Sequence, residues 1–248
     1  MKLLLIGAGN MGGAMLQGLH VRDITVVERK IASAKMLQER YPSIKIVQET
    51  PCLDGYVVIV AIKPQSFGIL KTTGIAEGVI SIMAGISLEK LKLGIAAKQY
   101  IRSMPNMAAT VCKSATSVCG DASFKETAID ILSVIGRCFW VESEKEFDIA
   151  SALAGCSPAW MALVAEALSD GAVKLGLKRE LSYAYIATLF EGMGEVLKNE
   201  HPAILKDKVM SPGGTTAAGY AKLEEGQVRD SFIKAMEASY ERAKNFSN

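Results

Sequence analysis

Two glycine-rich turns, one near each end of the chain, hold the residues best suited to chemistry. The first is Gly7-x-Gly9-x-x-Gly12 in LLLIGAGNMGGAM, directly after an apolar run and directly before residues at helical spacing. The first glycine permits a tight turn, the second lets the backbone approach a pyrophosphate, and the third lets strand and helix pack closely. Amides at the helix start then face the phosphates, where the helix dipole favours negative charge. The bare spacing is also that of an ordinary tight turn. Its place at the chain start, inside an alternating strand and helix pattern, points to dinucleotide binding.

The second turn is SPGGTTAAG, residues 211–219, set in a hundred residues that otherwise read as packed helix. Adjacent glycines give up backbone entropy and proline cannot donate a hydrogen bond, so the stretch weakens any helix running through it. Pro212-Gly213-Gly214 can aim successive N–H groups into one concavity, with Thr215 or Thr216 capping the helix that follows. That arrangement would receive a carboxylate. The same residues could also form a plain helix–helix turn with a Thr cap.

Further candidates sit at strand ends. Glu28-Arg29-Lys30 closes the second strand, where an acidic side chain bonds the adenosine ribose hydroxyls and a basic one accepts a 2′-phosphate. Glu28 argues for NADH; Arg29 and Lys30 could hold the extra phosphate of NADPH, or Lys30 could be a solvated loop charge. Lys63, in the KPQ segment after YVVIVAI, falls on the same sheet edge as the glycine loop and could approach the cofactor there. Asn106, in SMPN, offers an amide that could orient a nicotinamide or simply cap a turn. Five cysteines without a C-x-x-C pair and two histidines give no zinc framework and suit a reduced cytoplasmic setting.

These positions need a scaffold, and the first half supplies its pattern. Apolar strands at 2–7, 23–30, 44–47, 56–62, 78–85 and 99–105 alternate with helical segments at 10–20, at 31–41, after Pro64 and from Ser87. This is the pattern of βαβ units and a parallel sheet covered on both faces, which SATSVCG, a helix near 123–136 and RCFWVE complete. After about residue 145 the strand signals stop. PAWMALVAEALSDGAVKLGL (158–177) and LSYAYIATLFEGMGEVLKN (181–199) read as helices of a bundle or a dimer interface. Gly192 and Gly194 then imply close helix approach. The expected fold is an N-terminal doubly wound α/β domain of the Rossmann type, residues 1–145, followed by an all-helical substrate-binding and dimerisation domain, residues 146–248.

Composition narrows the partners. The chain has 248 residues, is 50% hydrophobic and carries a formal net charge of +2 with no basic stripe, so nucleic acid is not expected. Its unbroken apolar runs fall far short of a bilayer span of about 20 residues, so no membrane segment is expected.

Taken together, IGAGNMGGAM, AIKPQ, MAGIS, RSMPNM, ALAGCSPAWMALVAEALSDGAVKLGL and KDKVMSPGGTTAAGYAKLE resemble the Δ1-pyrroline-5-carboxylate reductases, from about residue 2 to about 245. The resemblance implies NAD(P)H-dependent reduction of a cyclic imine to L-proline, with NADPH slightly favoured. It implies that amides around Gly213, Gly214 and Thr215 hold the substrate carboxylate and that the Thr216 hydroxyl bonds the ring nitrogen, with Ser211 nearby. It places Gly7, Gly9, Asn10, Met11, Gly12, Ala61, Lys63, Pro64 and Asn106 on cofactor-binding positions. It further implies a homodimer or larger assembly, with the active site lying between a nucleotide domain and the helical domains.

Two departures stand out. Gly155-Cys156-Ser157-Pro158-Ala159-Trp160 replaces a common Gly-Ser-Gly-Pro-Ala-Tyr, with Ser157 suited to cap a helix that begins at Pro158 and Cys156 read as structural. Glu28 replaces a more usual uncharged side chain before an Arg. A β-hydroxyacid dehydrogenase is the nearest rival, but the helix around Lys174 lacks an Asn one turn on. Another cyclic imine reductase and a non-catalytic NAD(P)-sensing dimer are the remaining alternatives.

Overall fold

The computed structural model describes residues 1–247. Two compact units emerge, one formed by Met1–Cys156 with the C-terminal residues from Ser239, the other by Ser157–Ala238. The first unit is an eight-stranded sheet: β1 (Lys2–Ile6), β2 (Ile24–Val27), β3 (Lys45–Val47), β4 (Tyr56–Val60), β5 (Gly78–Ser81), β6 (Tyr100–Met104), β7 (Ser114–Gly120) and β8 (Gly136–Trp140). Their order is β3-β2-β1-β4-β5-β6-β7-β8. The first six strands run parallel, and the strand order reverses beside β1, which creates a crevice at the carboxyl ends of the strands.

Why these runs become buried strands is visible in β1, where Leu3, Leu4 and Leu5 are all fully buried. A strand covered on both faces needs apolar residues at every position rather than at alternate ones. Leu3 and Leu5 join Val57, Ile59, Ile80 and Ile101 in one core cluster. Leu4 and Ile6 join Val58, Val60 and Val79 in the other. The helices α1 (Asn10–Leu19), α2 (Ile31–Arg40), α3 (Leu88–Gly94) and α4 (Lys125–Leu132) connect the strands. Ser87 caps α3 by accepting from the Lys90 N–H at 3.1 Å, as its sequence position predicts.

The structure departs from the sequence reading in three places here. β7 runs antiparallel to β6, while β8 is parallel to β7. The segment from Pro105 to Lys113 holds only a short 3-10 turn, Met107–Val111, and a parallel return would need a crossover of a dozen or more residues. The helix expected after Pro64 is likewise a 3-10 turn, Pro64–Ile69. No helix begins at Pro158: α5 runs unbroken from Glu144 to Lys174 with Pro158 inside it.

The second unit is helical, with the later part of α5 followed by α6 (Arg179–Val196), α7 (Pro202–Val209), α8 (Thr215–Glu225) and the first part of α9 (Val228–Ser247). His201 caps α7, its Nδ1 accepting from the Ala203 N–H at 3.3 Å. Within this unit Ser169 and Ser182 share a 2.5 Å hydrogen bond, and Arg179 reaches Ser169 and Asp170, which pins α6 to α5. Little else is covered: Leu163, Leu189, Met193 and Val196 all face outward. Gly192 and Gly194 have open space where a Cβ would stand, so among the described residues no element makes the close approach they imply. Although α5 has no long unbroken apolar run, one 18-residue window reaches a mean hydropathy of 1.4, so by length and composition alone it could cross a bilayer.

Candidate active site

The glycine loop is built as its spacing requires. Gly7 adopts φ +94°, a left-handed conformation, and a Cβ there would come within 2.9 Å of the Ala61 carbonyl oxygen. At Gly12 a Cβ would meet the Gly7 carbonyl oxygen at 2.2 Å, so the close packing of α1 on β1 tolerates hydrogen alone. Gly9, the N-cap of α1, has nothing within 4 Å of its Cβ position and leaves the helix start open. That is the cradle a dinucleotide pyrophosphate needs, with Asn10 and Met11 opening the helix.

A cavity of about 650 Å³ lies at this edge. Gly7, Gly9, Glu28, Arg29, Ala61 and Lys63 line it, and all six are positions singled out from the sequence. Asn10, Met11 and Gly12 follow the lining residues in α1, and Pro64 starts the 3-10 turn after Lys63. The cavity also takes in Gln48, Glu49 and Thr50 after β3, together with Lys71 and Thr73. Sequence reasoning missed these because the strand 44–47 offers no motif. The strand order supplies the signal, since β3 lies beside β2 and its exit loop must reach the same edge.

Asn106 is half-buried at the end of β6. Its Oδ1 accepts from the Ala108 N–H at 3.1 Å, capping the 3-10 turn, and its Nδ2 donates to the Ala154 carbonyl at 3.0 Å. The second contact has a cause in α5. Residue 158 would normally donate to the carbonyl four positions earlier, but a proline has no N–H, which leaves Ala154 without its helical donor. Asn106 replaces that donor. One amide proton and one lone pair of the side chain remain for a ligand.

Nearby on β6, Arg102 is buried and ties the start of α5 to the sheet. It pairs with Glu144 at 2.6 Å and Asp148 at 3.1 Å, and its guanidinium lies over the Phe147 ring. Glu144 also accepts from the Leu88 N–H at the head of α3. Burial pushes the Cys119 thiol up to about 12 despite the pull of Arg102, and burial alone takes Cys138 to about 11.

The 211–219 segment turns into α8. Gly213 has φ +67°, and the Gly214 N–H donates to the Ser211 carbonyl at 3.0 Å. Gly214 is the N-cap, with the Ser211 side chain packed where its Cβ would be. Neither Thr215 nor Thr216 caps the helix. Both lie in its first turn, because the glycine N-cap shifts the helix start onto Thr215. The N–H groups of Thr215, Thr216 and Ala217 therefore head α8, where helix geometry offers no intrahelical acceptor. Ser211, Gly213, Thr215 and Thr216 are exposed, so solvent reaches the first turn of α8, where the helix dipole favours an anion.

Comparison with known proteins agrees with both ends of the chain. Residues 144–246 match the family described as pyrroline-5-carboxylate reductase dimerisation, and residues 2–85 match the family of coenzyme F420-dependent NADP oxidoreductases. A pyrroline-5-carboxylate reductase of Thermus thermophilus is 33% identical, over 98% of this chain and 97% of its own. The solved pyrroline-5-carboxylate reductase of Coxiella burnetii superposes with a TM-score of 0.88 at 29% identity, covering 100% of this chain and 98% of that one. The Plasmodium falciparum enzyme, solved with NADP bound, gives 0.81 at 26% identity over 100% and 98%. The glycine cradle, the open turn before α8 and this full-length likeness place the chain in the pyrroline-5-carboxylate reductase family.

Proposed function

We propose that this protein reduces 1-pyrroline-5-carboxylate to L-proline, the last step of proline synthesis, as a cytoplasmic enzyme that uses NADH or NADPH and no metal. The observation that carries this reading is the full-length likeness to relatives bearing that name, which spans both the cofactor cradle and the 211–219 turn. A reduced nicotinamide nucleotide, when bound, supplies the hydride. In this reading Gly7, Gly9, Asn10, Met11 and Gly12 hold the pyrophosphate. Glu28 and Arg29 face the adenosine ribose, while Ala61, Lys63, Pro64 and Asn106 lie along the path to the nicotinamide.

The substrate carboxylate rests on the first-turn amides of α8, with Gly213 and Gly214 leaving the approach clear and Ser211 beside it. The Thr216 hydroxyl orients the ring nitrogen and relays to it the proton, drawn from solvent water, that makes the imine cationic before hydride arrives. A protonated imine is already electrophilic, so positioning donor and acceptor supplies much of the barrier reduction and no strong acid side chain is required. Residues 1–145 serve as the nucleotide domain and 146–248 as the substrate and dimerisation domain; residue 248 lies outside the described residues.

A second copy of the chain is the partner, and neither nucleic acid nor a membrane is. The apolar face of α5 falls inside the dimerisation match, which supports its being covered by protein rather than lipid. Hydride transfer is tested with nucleotide deuterated at the reactive C4 position. Proline carrying deuterium on the ring carbon next to nitrogen and remote from the carboxylate supports the reading. Proline absent from the products, with bound nucleotide intact, contradicts it.

A further inference from the structure

We propose that Glu28 makes the nucleotide cavity select NADH over NADPH, an inference that rests on reading this cavity as a nicotinamide nucleotide site. Glu28 directly follows β2, and the Gly7 N–H donates to the neighbouring Val27 carbonyl at 3.1 Å. The acidic residue therefore stands beside the first glycine of the cradle, at the edge where an adenosine ribose lies in such folds. Its own N–H donates to the Val47 carbonyl at 3.0 Å, which fixes its backbone against the end of β3.

The side chain is fixed as well. One Glu28 carboxylate oxygen accepts from the Lys30 N–H at 2.9 Å, and Lys30 is the N-cap of α2, whose first turn holds no acidic residue. A 2′-phosphate bound at this helix start would seek that same backbone donor. It finds the donor taken, and it meets a half-buried carboxylate of like charge, with Glu49 adding a second on the cavity wall. A free 2′-hydroxyl meets the opposite situation. An ionised carboxylate accepts about four hydrogen bonds, so three remain for the ribose diol. Arg29 and Lys30 supply positive charge, but both are exposed, where water weakens their pull on a phosphate. The charge held in the turn decides the preference, against the tilt to NADPH that the family resemblance implies.

The test is direct binding, followed by nucleotide fluorescence and calorimetry, of NADH and NADPH to the wild type and to E28Q and E28S. The wild type should bind NADPH at least about tenfold more weakly than NADH. E28Q, which removes the charge and keeps the side chain's length, should narrow that ratio. E28S should abolish or reverse it. Unchanged far-UV circular dichroism and thermal unfolding report that the variants fold. Equal or tighter NADPH binding by the wild type overturns the proposal, as does a ratio that neither E28Q nor E28S moves. Failure of both nucleotides to bind the wild type overturns both this proposal and the reading of the cavity. A clear NADH preference in a protein that does not reduce 1-pyrroline-5-carboxylate leaves the selectivity standing and removes only the reductase reading.

Discussion

At the scale of single residues, the proposed reaction asks most of Thr216. Its removal in Thr216→Ala should lower kcat/KM by about a hundredfold or more, the size of a lost proton-handling group, while Thr216→Ser should recover most of it. Equal rates for all three, read by steady-state kinetics, would take the role away. Gly12 makes a structural demand instead: Gly12→Ala drives a methyl into the Gly7 carbonyl, so calorimetry should show weakened nucleotide binding with the turn 211–219 intact. The buried thiols give a prediction of a different kind. With pKa values raised to about 12 and about 11, Cys119 and Cys138 stay protonated near neutral pH, so iodoacetamide should label exposed Cys52 and Cys112 first. Because the unfolded chain would release these protons nearer pH 9.0, it binds fewer protons than the fold above that pH, and stability should fall as pH rises from there. A melting temperature that stays flat or rises in that range would contradict the assignment. The glycine spacing was legible in the sequence because sterics alone dictate it. The cap of α8 was not: the sequence suggested Thr215 or Thr216, and only the folded backbone shows that Gly214 takes the N-cap position.

At the scale of elements, the coupling between β6 and α5 can be measured. Asn106→Ala leaves the Ala154 carbonyl without a donor and should cost about 1–3 kcal/mol. Restoring a backbone donor with Pro158→Ala should reduce that penalty in the double variant, which chemical denaturation of the four proteins would show. Additive effects would mean that Asn106 does not replace the missing N–H. The alternation of strands and helices was legible because burial on both faces demands continuous apolar runs. The reversal at β7 was not: a short loop forces it, and apolar pattern carries no strand direction. The unbroken α5 escaped notice for a related reason. A proline with a serine before it reads as a helix start, and the compensating Asn106 lies far away in sequence.

At the scale of the whole molecule, the helical half presents more apolar surface than one chain covers, with Leu163 63% and Leu189 51% exposed. Light scattering should report a dimer or larger assembly in solution, and Leu163→Glu with Leu189→Glu should shift it toward monomer and lower the melting temperature. A monomer at micromolar concentration would leave that surface unexplained. The interface was only half legible, because apolar helices of a bundle and of a dimer share one pattern. The family match, not periodicity, points to the second copy. The central claim is most directly tested by steady-state oxidation of NADH and of NADPH in the presence of 1-pyrroline-5-carboxylate, with proline identified as product. The account predicts turnover with at least one nucleotide and formation of proline in equal amount. No turnover with either, from protein shown to bind the nucleotide, would contradict it.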